Sequence, residues 1–171
     1  EKGVKFSLGI PGLHNVLNAL GCIALMDQLG LPLSDIRTGL ASFKGVRRRF
    51  DVQIKSDSLI YIDDYAHHPE ELRYLIDSLT MMFPGQQITA VFQPHLFTRT
   101  RDFGAAFADQ LSRFDELVLL PIYAAREKEI IGISSDWLLS KVRIPNKKIL
   151  KSSEALEYLK QKKEGVIVTI G

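Results

Sequence analysis

The stretch Leu59–Phe83, LIYIDDYAHHPEELRYLIDSLTMMF, runs from a strand-like segment through a corner into a helix-like one. The corner carries two carboxylates, a tyrosine and two adjacent histidines: Asp63, Asp64, Tyr65, His67 and His68. Downstream the same alternation repeats. The strand ITAVFQ leads to the helix DFGAAFADQLSRF, and ELVLLPI leads through a loop to SSDWLLSKV. The short strand KKILK leads to SSEALEYLKQKK, and GVIVTI follows. Short strands rich in Val, Ile and Leu, alternating with helices, predict an α/β fold with a mostly parallel sheet covered on both faces. Ligands of such sheets collect at the carboxyl ends of the strands. The second histidine-bearing corner, FQPHLFTRTRD, is expected at such an end too. The strands leading into the two corners are expected to be neighbours in the sheet.

Upstream the pattern differs. HNVLNALGCIALMDQLG places Val16, Leu17, Leu20, Ile23, Ala24 and Leu25 at helical spacing, and Gly30 ends the run. Pro32 and Ser34 open a second helix, with Ile36, Leu40 and Phe43 on one face. RRFDVQIKSDSLIYIDDY then alternates and turns at Ser56-Asp57-Ser58, which reads as a hairpin. The change of style near Gly45 predicts a boundary between a two-helix tail and an α/β domain.

Composition bounds the alternatives. The chain has 171 residues and a net charge of +2, too small to argue for nucleic acid. No apolar run reaches the ~18 residues of a membrane span, and no signal peptide is visible. The single cysteine, Cys22, excludes an internal disulfide framework and suits a reducing cytosol; its apolar surroundings predict a buried core thiol. The chain opens without an initiator Met and stops on VIVTIG, so it reads as part of a longer protein.

Each corner has a functional and a plain reading. Pro69 suits the first position of a helix, whose N-terminal N–H groups would favour an anion. Asp64 suits a ribose hydroxyl, and His67 and His68 a phosphate or carboxyl group; the plain reading makes Asp63 and Asp64 turn and cap residues. Zinc is disfavoured, because no cysteine or HExxH spacing supports the histidines. In the second corner, His95, Arg99 and Arg101 suit capture of a carboxylate or phosphate, or are simply solvated charge. GVRRRF packs three arginines before Phe50 without an aromatic stacking platform. His14, Asn15 and Asn18 open the first helix; Asn15 and Asn18 share a face that could read a base edge, and Asn15 alone would pass as a cap.

Taken together, GLHNVLNALG, FKGVRRRFD, DDYAHHPEEL, FQPHLFTRTRD and PIYAARE, in this order and at these spacings, closely resemble the Mur ligases over nearly the whole chain. DDYAHHP and FQPH followed by TRTRD are most similar to the alanine-adding branch. The resemblance implies a cytoplasmic enzyme of three domains. Residues 1–44 would be the end of the central ATPase domain. Residues 45–171 would be an incomplete Rossmann-like C-terminal domain, with the UDP-sugar domain, P-loop and magnesium ligands outside the chain. It implies ATP and Mg2+ as cofactors and UDP-N-acetylmuramate and L-alanine as partners, joined through an acyl phosphate, with this piece inactive by itself. It also implies roles. Asn15 and Asn18 would contact adenine with His14 beside them; Arg49 would reach the phosphates and Asp64 the ribose. Tyr65, His67, His95 and Arg99 would line the amino-acid and acyl end, while His68 only packs or caps. Leu96 stands where many relatives have arginine, which shifts carboxylate binding to Arg99 or Arg101. A peptide-recycling ligase of the same family and a non-catalytic nucleotide-binding module are the alternatives.

Overall fold

A computed structural model describes residues 3–171. In chain order its elements are α1 (Leu13–Gln28), α2 (Leu33–Ser42), β1 (Asp51–Lys55), β2 (Leu59–Asp64), α3 (Pro69–Met82), β3 (Ile88–Phe92), α4 (Phe97–Asp102), α5 (Gly104–Leu111), β4 (Glu116–Leu119), α6 (Ser135–Lys141), β5 (Lys147–Ile149), α7 (Ser152–Lys160) and β6 (Gly165–Ile170). The six strands form one sheet in the order β1-β2-β6-β3-β4-β5. β1 pairs antiparallel with β2 as the expected hairpin, and every other pairing is parallel. The architecture is the expected α/β one: a Rossmann-like, mostly parallel sheet with helices on both faces, preceded by two helices.

Chain direction decides which helix covers which face. The crossovers from β2 to β3, β3 to β4 and β4 to β5 all step the same way across the sheet. Right-handed crossovers put their helices on one face. The larger core lies there, with Leu72, Leu75, Ile76 and Leu79 of α3, Phe107 and Leu111 of α5, and Leu138 of α6. The return from β5 to β6 steps the other way, so α7 covers the opposite face, where Ala155 meets Val91 and Val118. The period of two is visible in β3: Ala90 and Phe92 enter the larger core, Val91 the smaller. All residues of β3 and β4 are buried, which is why their sequences run apolar rather than alternating.

One expectation fails here. β2 and β3 are not neighbours, because β6 pairs with both. Gly165 permits the insertion: its φ is +91°, and a Cβ there would lie 2.7 Å from the Gln87 carbonyl oxygen. The two corners therefore stand two strand spacings apart, roughly 10 Å, with the end of β6 between them.

The two leading helices are thinly packed. Ala19 is the buried residue of α1 and Ile36 that of α2. The His14 ring lies 5.4 Å from that of Tyr74 on α3. Leu13, Leu17, Leu20 and Leu25 are each more than half exposed. Cys22 is exposed as well, against the expectation of a core thiol. Its apolar neighbours belong to a helix face that these residues leave uncovered.

Candidate functional site at the carboxyl ends of the strands

The first corner begins where β2 ends. Asp64 spends both carboxylate oxygens on backbone: Oδ2 accepts the Phe50 N–H at 2.7 Å and Oδ1 the Ala66 N–H at 2.8 Å. Burial raises its carboxyl above the ordinary range, and those two hydrogen bonds pull the other way. Asp64 thus ties the corner to the turn before β1, as the plain reading had it. That turn is tight, with φ of +59° at Arg48 and +49° at Phe50. The Tyr65 N–H donates to the Arg48 carbonyl at 2.7 Å.

Next comes the start of α3. Glu71 Oε2 accepts the N–H groups of His67 (2.8 Å) and His68 (3.1 Å), and His68 Nδ1 accepts the Glu70 N–H at 3.3 Å. This is a capping box with histidine as the N-cap and Pro69 at the first position. It corrects the expectation of an open anion site there, since Glu71 supplies the negative charge. The His68 ring packs edge-on against Phe103 at 4.7 Å. His68 therefore caps and packs. His67 points elsewhere: its Nδ1 donates to the Tyr65 carbonyl at 2.9 Å, which in a neutral ring puts the lone pair on Nε2.

Arg48 was not singled out by the sequence, yet it holds this corner together. Its guanidinium lies 4.7 Å over the Tyr65 ring, donates to the Gly171 carbonyl, and stands 3.5 Å from Asp63. The Tyr65 ring also meets that of His67, edge-on at 4.9 Å. Arg49 is exposed, and its charge acts on His14 and Asp64. His14 is pulled below the usual imidazole range, chiefly by burial, and its Nδ1 is buried without a partner. Asn15 donates to the Pro11 carbonyl at 2.5 Å, while the Asn18 side chain is exposed.

The second corner holds a helix that the strand-and-helix pattern of the sequence does not predict. α4 begins after Leu96, whose φ of +72° is unusual for a residue with a side chain. Such a conformation costs about 1–3 kcal/mol and persists only where neighbours fix it. They do: the Leu96 N–H donates to the Tyr123 carbonyl at 2.9 Å, and the Leu96 carbonyl accepts the Thr100 N–H and hydroxyl. The bend puts His95 against Tyr123, ring centres 5.2 Å apart, and turns Arg99 inward. His95 Nδ1 and Arg99 Nη1 are both buried without partners. Burial, then Arg99 and His67, lower the His95 pKa, while Glu127 raises it. That His67 is among the charges acting on His95 places the second corner within electrostatic reach of the first, across the end of β6. Arg101 does not join them, pairing instead with Asp102 at 2.7 Å. Among the described residues no group of three or more His, Cys, Asp or Glu side chains is placed to hold a metal ion.

The family described as "Mur ligase, glutamate ligase domain" matches residues 48–171. The chain belongs to the Mur ligase family. Among its relatives, a UDP-N-acetylmuramate--L-alanine ligase of Flavobacterium johnsoniae is 50% identical over 99% of this chain and 37% of the relative. One of Parabacteroides distasonis is 45% identical over 96% of this chain and 36% of the relative. The solved UDP-N-acetylmuramate-alanine ligase of Thermotoga maritima superposes with a TM-score of 0.81 at 28% identity, covering 99% of this chain and 36% of that one. A folylpolyglutamate synthase of the same organism, at 21% identity and a TM-score of 0.69, shares the fold. The chain thus spans little more than a third of the length of the Mur ligases it matches. Arg48, Glu71, Tyr123 and Glu127 were absent from the residues picked out by sequence. Tyr123 and Glu127 lie within the PIYAARE motif, and Glu71 stands three positions after a polar residue and two after a proline.

Proposed function

We propose that this chain is the C-terminal part of an ATP-dependent ligase that joins L-alanine to UDP-N-acetylmuramate in peptidoglycan precursor synthesis. The observation that carries this reading is the 50% identity, over almost all of the chain, to a ligase of that name. Residues 1–44 would end the central ATPase domain, whose missing partners account for the exposed leucines of α1. Residues 45–171 would be the Rossmann-like C-terminal domain. The substrates would be ATP, the sugar nucleotide and alanine, in the cytoplasm. Magnesium, as the family resemblance implies, would be held by residues of the central domain.

In this reading the sugar's carboxylate is activated as an acyl phosphate, the amine of alanine attacks it, and phosphate leaves. The chain's residues position and neutralise charge. Arg49, exposed and with its charge reaching His14 and Asp64, would meet the phosphates. Asn15 and Asn18 face the adenine, with the Asn15 amide already committed to Pro11 on one side. Asp64 reaches the ribose with the lone pairs its two backbone bonds leave free. The unpartnered Arg99 Nη1 takes the alanine carboxylate. Tyr65, His67 and His95 surround its amine, and the free Nε2 of His67 suits the proton that the ammonium must lose.

The test is made in the full-length ligase. His67→Ala and His95→Ala raise the KM for L-alanine while leaving UDP-N-acetylmuramate binding nearly unchanged, as measured by alanine titration and by sugar-nucleotide binding. Residues 1–171 alone do not turn over ATP with both substrates. Normal alanine kinetics in both variants would overturn the assignment.

A further inference from the structure

α4 carries Arg99 and starts two residues after His95, but no side chain of its own caps it. The cap comes from another loop. The Glu127 carboxylate accepts the Thr98 N–H at 2.9 Å and also the Thr98 hydroxyl. Further bonds join the same two segments. Leu96 donates to Tyr123 at 2.9 Å, and Tyr123 donates to Pro94 at 2.8 Å. The Glu127 N–H closes a turn on Ala124 at 2.9 Å, across Ala125 with its φ of +52°.

We infer that Glu127 is a positioning residue: by gripping Thr98 it locks the 121–127 loop onto α4 and so fixes the aim of His95 and Arg99. Leu96, between them, occupies a backbone region that a residue with a side chain leaves unless it is held. Without the grip on Thr98 the first turn of this short helix loses its cap. Leu96 then relaxes toward an extended conformation. His95 slides from Tyr123, and Arg99, one position beyond Thr98, turns with the helix. Glu127 is half-buried and belongs to neither apolar core cluster, so its removal opens no core. A helix cap with no further role would cost a little stability and leave both side chains where they are. That the positioned groups serve an amino acid rests on the ligase reading; the locking does not.

Two measurements separate these. In the 171-residue chain, Glu127→Gln and Glu127→Ala weaken the nuclear Overhauser contact between the His95 and Tyr123 rings, which loss of the Glu127 charge alone does not move, with the melting temperature almost unchanged. A Thr98 amide that moves while the His95–Tyr123 contact stays fixed would overturn the inference and leave a local cap. In the full-length ligase, Glu127→Ala raises the KM for L-alanine by about 10- to 100-fold, the scale of a small misplacement of a positioning group, with kcat much less affected. Wild-type protein that fails to ligate alanine, with the His95–Tyr123 contact still responding to Glu127, would overturn the ligase reading and uphold the locking. Active protein whose alanine KM and His95–Tyr123 contact both ignore Glu127 would do the reverse.

Discussion

Glu116 opens β4 with its side chain only 6% exposed. Lys162 Nζ stands 2.5 Å from one oxygen and Lys148 Nζ 3.4 Å from the other, while the hydroxyls of Tyr158 and Thr89 complete the set. Burial alone would raise its pKa, but the bonds from Lys162, Tyr158 and Lys148 outweigh that and hold it at about 2. A depressed folded pKa stabilises above the unfolded value near 4.5 and is lost as pH falls through 4.5 toward 2. Both lysines keep some solvent contact, so Glu116→Gln is expected to cost about 1–3 kcal/mol at pH 7. Urea denaturation at pH 7 and near pH 2.5 should show that gap narrowing in acid. Two adjacent arginines give a second prediction. Arg49→Ala in the full-length ligase lowers turnover by about 10²–10³, as for removal of a contact made in the transition state, with little loss of melting temperature. Arg48→Ala, which strips the contacts to Tyr65 and Gly171, does the opposite and lowers stability first. If Arg49→Ala lost stability and regained activity on cooling, Arg49 would be a structural residue. Periodicity and composition do not distinguish the three arginines; the contacts of Arg48 with Tyr65 and Gly171 show which one holds the corner.

At the scale of elements, the βαβ alternation was legible because strand and helix periods differ locally in the sequence. α4 was not legible. It is six residues long, begins at a strained leucine and draws its cap from Glu127, 29 positions away from Thr98. No local rule reports such a start. Packing between α5 and α6 gives the third test. Gly104 opens α5, and a Cβ there would lie 2.4 Å from Cη2 of Trp137 on α6. The indole is rigid and cannot yield as a flexible chain end would. Gly104→Ala is expected to destabilise by about 1–3 kcal/mol, the usual cost of overpacking, read as a lowered denaturation midpoint at unchanged m-value. Gly104→Ala combined with Trp137→Leu should recover part of the loss.

For the molecule as a whole, α1 and α2 touch the α/β domain through few side chains, whereas β3 and β6 lie in the middle of the sheet. Amides of residues 14–28 are expected to exchange with solvent well before those of β3 and β6, since opening free energy follows buried contacts. Hydrogen exchange on dilute monomer measures this. Protection of α1 equal to that of the sheet would count against a domain boundary near Gly45.

The kinds of element, most of their order along the chain, the hairpin and the family can all be read from the residues alone. Each of these is written in local periodicity or in short motifs such as DDYAHHPEEL and FQPH. Tertiary structure alone decided that β6 separates β2 from β3, that Cys22 is exposed, and that Asp64 spends its carboxylate on Phe50 and Ala66. The physical reason is the same in each case. Strand order follows from which distant segment completes a ladder and from the handedness of the crossover. Burial follows from whether another surface arrives to cover a face. A side chain's partner is whatever folding brings within about 3 Å, and spacing along the chain carries none of this.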